Sequence, residues 1–134
     1  MVNPAIEGKV YPPTKPYEVG REKIAEFARA TLASTVDDFA PPTFPVVIQE
    51  RSMATVLGDP EAAIDFSRVV HGDQRFSFVR PIRAGDLLHS ELQVVSVKSL
   101  AGNQLVTFET RIYDNANQLV CTATSTLVVR GDSQ

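Results

Sequence analysis

The sequence predicts an α+β fold, in which helices come first and an antiparallel sheet follows. Between residues 19 and 57, apolar residues recur at the three- and four-residue spacing of helices. From Phe66 onward, apolar and polar residues alternate, which is the pattern of strands that bury one face. Turn sequences separate the alternating runs, so consecutive strands should be antiparallel neighbours.

Two helices are expected before the sheet. The first covers about residues 19–30, where Ile24 and Phe27 share one face. The second covers residues 46–57 and is apolar along most of its length, so it should be largely buried. Pro45 suits its start, because the first turn of a helix does not use the N–H that proline lacks.

Four long strands are expected after the helices. The first runs from about Phe66 to the turn that contains Gly85 and Asp86. The second ends near Asn103, and the third ends at a turn over residues 114–117. The last strand, Val120 to Val129, is rich in threonine and valine.

Composition excludes several classes of function. The formal net charge is −3, and the basic residues are scattered, which does not favour nucleic-acid binding. Neither a dinucleotide nor a nucleoside-triphosphate motif occurs. Two histidines and one cysteine, far apart in sequence, give no metal-binding spacing, and Cys121 lies in an apolar strand as a buried thiol. We expect one domain over residues 1–134, with no metal, cofactor or membrane span, in the cytoplasm.

Four segments resemble the MaoC-like (R)-specific hydratase/dehydratase family, whose members have the hotdog fold, a long antiparallel sheet wrapped around a central helix. They are YEVGREKIAEFA at 17–28, PPTFPVVI at 41–48, VVHGDQRFSFVRPIRAGDLL at 69–88 and KSLAGNQLV at 98–106. Together they cover nearly the whole chain in the family's order. The likeness is strongest to an actinobacterial family akin to the A and C subunits of mycobacterial (3R)-hydroxyacyl-ACP dehydratase.

The resemblance implies syn addition or removal of water across an α,β-unsaturated acyl thioester, carried by CoA or by acyl carrier protein. In catalytic members, an aspartate and a histidine share one water, in a loop resembling G-D-x-N-P-x-H after the first helix. The A and C subunits supply substrate-binding surface and pair with a catalytic B subunit. No cofactor is implied.

This chain departs from that pattern between its two helices. Residues 31–39 read TLASTVDDF and contain no Gly-Asp, no Asn-Pro and no histidine. Asp37 and Asp38 are its carboxylates, and they either replace the family aspartate or belong to a solvated loop. The departure implies a non-catalytic or partner-dependent subunit, in a homodimer or in a heterodimer with a catalytic hotdog subunit.

Alternation along the first strand suggests a relocated acid/base pair. One predicted face holds Val70, Gly72, Gln74, Phe76 and Phe78. The other holds Val69, His71, Asp73, Arg75 and Ser77. Because His71 and Asp73 fall on one face, they are candidates to share a catalytic water, with a structural histidine as the alternative.

Substrate-binding candidates lie at the start of the second helix and around the strand end. The backbone amides of Thr43 and Phe44 are placed to hold a thioester carbonyl, since a helix N-terminus favours negative charge. Gln74 lines either an acyl channel or an interface. Arg80 and Arg83 either meet phosphates of CoA or a carrier protein, or belong to a turn with Asp86.

The expected function is therefore that of an (R)-specific enoyl-thioester hydratase or 3-hydroxyacyl-thioester dehydratase subunit. Two alternatives remain open: an acyl-thioester-binding module without catalysis, and a hotdog acyl-CoA thioesterase in which Glu50 on the second helix is the carboxylate.

Overall fold

The computed structural model describes residues 1–34 and 38–131. Within these ranges the elements are a 3-10 turn at Pro4–Ile6, β1 at Tyr17–Glu18, α1 at Arg21–Thr31, α2 at Pro45–Leu57, a second 3-10 turn at Phe66–Arg68, β2 at Val69–Phe78, β3 at Leu87–Leu100, β4 at Asn103–Tyr113 and β5 at Leu119–Val129. The strands form one antiparallel sheet in the order β1-β3-β4-β5-β2. The predicted α+β class is confirmed.

Helix α2 packs on one face of this sheet. It starts at Pro45, as predicted, and buries Ile48 and Val56 completely. Burying an aliphatic side chain of this size contributes roughly 1.5–3 kcal/mol, so these two residues hold the helix firmly against the strands. The prediction of a largely buried second helix is confirmed.

The core under α2 has two apolar clusters. One, around Phe108 and Met53, lies towards the C-terminal end of α2 and includes residues from the N-terminal segment. The other, around Phe44 and Ile112, lies towards the start of α2. The helix therefore spans both halves of the core.

The N-terminal segment covers the outer edge of β3, which the sequence pattern did not predict. The amides of Gly8, Tyr11 and Thr14 donate to carbonyls of β3 at 2.7 to 2.9 Å. The short strand β1 continues this pairing with β3. Among residues 1–34 and 38–131, β2 has no strand on its second side, so it is the open edge of the sheet.

Neither helix of the described ranges is long and apolar enough to cross a membrane.

Candidate functional site

Two separate clefts lie at the two ends of the space between α2 and the open edge strand β2, a space that we call the groove. The near cleft lies beside the segment that leads into α2, has a volume of about 310 Å³, and is lined by Ala40, Pro42, Phe78, Val79, Arg80, Pro81 and Ile82. The far cleft lies beside the C-terminal half of α2, has a volume of about 250 Å³, and is lined by Gln49, Glu50, Met53, Leu57, Phe66, Val69, His71 and Leu127.

A β-bulge at Gly72 decides which residues of β2 face this groove. His71 pairs with Leu127 and Asp73 pairs with Thr126, although two positions separate them along β2. Directly paired residues share a face, and Leu127 and Thr126 are consecutive, so His71 and Asp73 lie on opposite faces. The prediction that His71 and Asp73 share a face is wrong, because strict alternation does not allow for the extra residue.

The bulge reverses the orientation that alternation predicted for the residues before Gly72 and leaves the predicted orientation of the residues after it unchanged. Val69 and His71 lie on the groove side, because they pair with Val129 and Leu127, which are buried on that side. Beyond the bulge, the groove-side residues Gln74, Phe76 and Phe78 pair with buried residues of β5, as the alternation predicted. Val70 and Asp73 lie on the outer face.

The side chains of His71 and Asp73 make separate contacts. The His71 Nε2 donates to the backbone carbonyl oxygen of Asp73 at 3.1 Å. The Asp73 carboxylate accepts from the Arg75 guanidinium at 3.0 Å on the outer face. The structure therefore does not bring this imidazole and this carboxylate together around one water.

His71 instead shares the far cleft with Glu50. Both residues are exposed and line the same space, together with Gln49 and five apolar residues. Glu50 lies on α2 and His71 on β2, so their approach depends on the packing of the helix on the sheet. A carboxylate and an imidazole on one cleft are a combination that can exchange protons with a bound ligand.

At the start of α2, two backbone amides were expected to hold a thioester carbonyl, and only one of them lacks an acceptor within the described ranges. The Phe44 amide donates to the Pro41 carbonyl at 2.9 Å, so it already has a partner. The Phe44 ring is buried and packs edge-to-face on Phe27, with 5.4 Å between centroids. Thr43 is exposed, and its amide has no acceptor within the described ranges. Of the pair, Thr43 is the one free to receive a carbonyl oxygen.

Gln74 faces the groove and forms a bridge to α2. The two amide groups of Gln49 and Gln74 bond reciprocally, at 3.0 and 2.8 Å, and the Gln74 amide also lies 3.3 Å from the Thr124 carbonyl. Gln49 is 1% exposed. Sequence reasoning missed Gln49, although an amide among the apolar residues of α2 was a visible signal that it needs a partner.

The arginines near the end of β2 differ in their surroundings. Arg80 donates to the Asp86 carboxylate at 2.9 Å, and this bonding raises the pKa of Arg80. Asp86 also accepts from the Arg83 backbone amide at 2.9 Å, which is the structural role expected for Asp86 in the turn. The exposed Arg83 guanidinium lies 5.0 Å from the Phe39 ring centroid. Arg83 is therefore the more accessible cation of the two.

Other candidates contribute no reactive group to the groove. The Asp38 carboxylate accepts two bonds from Arg21, at 3.1 and 2.8 Å, while Asp37 lies outside the described residues. Cys121 is fully buried, and burial raises its pKa to about 11, in agreement with a structural thiol. Across the described ranges, no group of three or more acidic, histidine or cysteine side chains is arranged to hold a metal ion.

Comparison with known proteins identifies the family. The model of the family described as "FAS1-like, dehydratase domain region" matches residues 5–123. The chain belongs to this family of MaoC-like hotdog dehydratases. A UPF0336 protein of Leifsonia xyli subsp. xyli is 52% identical over 145 residues, covering 98% of this chain and 97% of that protein. The UPF0336 protein of Clavibacter michiganensis subsp. michiganensis is 46% identical over 145 residues, with the same coverage.

A solved dehydratase confirms the fold of this FAS1-like family member. A chain of the HadBC (3R-hydroxyacyl-ACP dehydratase) complex from Mycobacterium tuberculosis matches with a TM-score of 0.77 and 28% identity, covering 92% of this chain and 96% of that chain. The predicted hotdog fold and the predicted resemblance to MaoC-like dehydratases are therefore both correct.

The two UPF0336 relatives carry residues that have no counterpart here. The alignment with the Leifsonia xyli protein runs over 145 positions, which exceeds the 134 residues of this chain. The alignment with the Clavibacter protein has the same length. This chain is therefore shorter than both of these relatives.

Proposed function

We propose that this chain is a substrate-holding protomer of an (R)-specific enoyl-thioester hydratase or 3-hydroxyacyl-thioester dehydratase, with residues 1–134 as one hotdog domain. The observation that carries the proposal is a groove with an available helix-start amide, in which residues 1–34 and 38–131 place no paired aspartate and histidine of the family's kind. A second hotdog protomer supplies that pair. The class of reaction follows from membership in the FAS1-like dehydratase family.

The substrate is a trans-2-enoyl or 3-hydroxyacyl thioester of CoA or acyl carrier protein. Its carbonyl oxygen accepts from the Thr43 amide, where the start of α2 stabilises negative charge that develops on that oxygen. The near cleft beside Pro42 and Phe78 receives the first part of the acyl chain. The exposed Arg83 is the cation that meets a phosphate of the carrier.

We place the additional residues of the longer relatives in the connection between α1 and α2. The β3–β4 connection occupies only Ala101 and Gly102, and a short turn over residues 114–118 joins β4 to β5. Insertions are tolerated in surface loops at little entropic cost. The segment 31–39 is also where catalytic relatives carry the acid/base pair, so a shortened segment there removes the catalytic groups and keeps the binding groove.

The open edge of β2 is the surface that the partner protomer covers. The other sheet edge, at β3, is already covered by the N-terminal segment. Along and beside β2, four apolar side chains are exposed: Phe66, Val70, Phe78 and Val79. A long strand with unpaired backbone groups and an apolar flank is typical of an edge that pairs with another chain. A partner at this edge also closes both clefts.

Hydration of crotonyl-CoA, a short trans-2-enoyl thioester, tests the proposal. We expect the purified chain to bind the thioester but not to hydrate it, and hydration to appear once a catalytic hotdog subunit is co-expressed and co-purified with it. Loss of the enoyl absorbance measures the reaction. Turnover by the chain alone, at a rate typical of enzymes, would contradict partner dependence. Absence of thioester binding, both by the chain alone and by its complex with the catalytic subunit, would contradict the whole proposal.

A thioesterase is the second candidate, because Glu50 and His71 share the far cleft. A carboxylate and an imidazole on one cleft are suited to activate a water for attack on a thioester carbonyl. Release of free thiol from butyryl-CoA distinguishes this activity from hydration. Thiol release that disappears in Glu50→Gln would favour the thioesterase, whereas no release in the same assay favours the hydratase subunit.

A further inference from the structure

The reciprocal amide bridge between Gln49 and Gln74 lies across the α2–β2 groove. The near cleft is on one side of the bridge, beside the start of α2, and the far cleft is on the other side. Gln49 itself lines the far cleft. A ligand that extends along the groove from the start of α2 therefore meets this pair before it reaches the far cleft.

We propose that the Gln49–Gln74 bridge limits the length of the acyl chain that the groove accepts. The inference rests on the proposed function, since it assumes that the thioester carbonyl lies at Thr43. Gln49 follows Thr43 by six positions, which is roughly 9 Å along a helix axis, or about seven methylene groups of an extended chain. An acyl chain of about eight carbons fills this space.

The bridge resists an apolar tail because both amides are paired within it. The two hydrogen bonds, at 3.0 and 2.8 Å, join side chains of which one is 1% exposed. A hydrocarbon that separated them would leave two amides without partners in an apolar setting, and it has no polar atom to replace the lost bonds.

The position of α2 over the sheet keeps the bridge in place. Ser52, one turn after Gln49, makes a 2.6 Å hydroxyl contact with Ser90 on β3. Both serines are buried. The helix is thus held to β3 through Ser52 and to β2 through Gln49, so the width of the groove at the bridge is set by polar contacts on both sides.

Beyond the bridge there is room for a longer tail. The far cleft is lined by Met53, Leu57, Val69 and Leu127, and α2 continues for eight residues after Gln49. Eight residues of helix span roughly 12 Å. Removal of both amides joins the two clefts and opens this apolar space, enough for about nine more methylene groups, to the end of a chain of about 16 carbons.

Affinities for saturated acyl-CoAs of 4, 8, 12 and 16 carbons test the limit. In the wild-type chain, affinity rises about four-fold for each added methylene that becomes buried, and it should stop rising near eight carbons. In the double variant Gln49→Ala/Gln74→Ala, affinity keeps rising through 12 to 16 carbons. We expect the 12-carbon acyl-CoA to bind the variant about ten-fold or more tightly than it binds wild type, and the four-carbon acyl-CoA to bind both equally. Isothermal titration calorimetry gives both profiles.

Gln118→Ala is the matched control, because Gln118 is exposed in the β4–β5 turn and should leave the profile unchanged. A wild-type affinity that keeps rising to 16 carbons overturns the limit. This measurement uses only the wild-type chain, so it does not depend on whether a variant folds. An unchanged profile in a double variant with a native circular dichroism spectrum overturns it too. Failure of every acyl-CoA to bind wild type contradicts the proposed function instead, so the two failures are distinguishable.

Discussion

The His71 imidazole donates to the backbone carbonyl of Asp73 at 3.1 Å, while the Asp73 carboxylate lies on the other face of β2 with Arg75. The bulge at Gly72 produces this arrangement by adding one residue to β2 without a partner in β5. His71 consequently belongs to the groove and Asp73 to the outer surface. Any proton transfer by His71 must use a group other than this carboxylate.

Asp73→Asn should therefore leave function intact. The Asp73–Arg75 ion pair is exposed, and pairs of this kind contribute about 0–1 kcal/mol to stability. We expect the acyl-CoA affinity of the chain, and the hydration rate of its complex with a catalytic subunit, to stay within about two-fold of wild type. A loss of about 100-fold in Asp73→Asn would restore the idea that His71 and Asp73 act as a pair.

Val70→Lys should weaken assembly at the β2 edge. Val70 is 50% exposed beside the unpaired backbone of β2, and a lysine on an edge strand opposes pairing with another chain. We expect the dissociation constant of the complex to rise by about ten-fold or more, as followed by sedimentation velocity.

Val95→Lys is the control for this change, because Val95 is 48% exposed but lies on β3, away from the β2 edge. Equal weakening by both substitutions would indicate that β2 is not the interface.

The ion pair between Lys9 and Asp59 should make stability depend on acid pH. Hydrogen bonds from Lys9, and then from Tyr11, lower the pKa of Asp59 to about 2. Since the folded-state pKa lies below the unfolded one, the stabilisation is complete above about pH 4 and is lost as the pH falls towards 2. Asp59→Asn should thus lower the melting temperature at pH 7, and the difference from wild type should shrink at pH 3.

Differential scanning fluorimetry from pH 7 to pH 2.5 measures this difference. Glu61→Gln serves as the control, because Glu61 also contacts Lys9, at 3.0 Å, but is 62% exposed. A difference between Asp59→Asn and wild type that stayed constant across this range would mean that Asp59 has an ordinary pKa in the folded chain.

The sequence predicts those parts of the fold that local pattern determines. Pro45 marks the start of α2 because its missing N–H suits only the first turn. The alternation along β4 predicts its buried face, since each inward residue there is covered by α2 or its neighbours. The class, the two helices and the four long strands all follow from such local signals.

The remaining features depend on contacts between distant residues. The bulge at Gly72 is visible only from the pairing of β2 with β5, although a lone glycine within a strand is a known signal for one. The N-terminal segment pairs with β3 without alternation of its own. The Gln49–Gln74 bridge joins residues of two elements that lie 25 positions apart in the sequence, so no local pattern contains it.

Restoring the missing segment should convert this protomer into a hydratase that acts alone. The change replaces residues 31–39 with the longer α1–α2 segment of a catalytic relative that contains Asp and His. Positioned acid/base groups contribute typically 10²–10⁴-fold, so we expect the rate of crotonyl-CoA hydration to rise by about 100-fold or more over the unmodified chain.

Two features of the fold favour this graft. Phe39 already bridges to Arg83 and the Ala40 amide donates to Ile82, so the end of the segment is attached beside the near cleft. The matched control carries the same graft with its His changed to Asn, which keeps the length and removes the acid/base group. A gain that is equal in graft and control would reflect loop length alone. No gain in a graft with a native melting temperature would mean that segment 31–39 is not where the catalytic groups were lost.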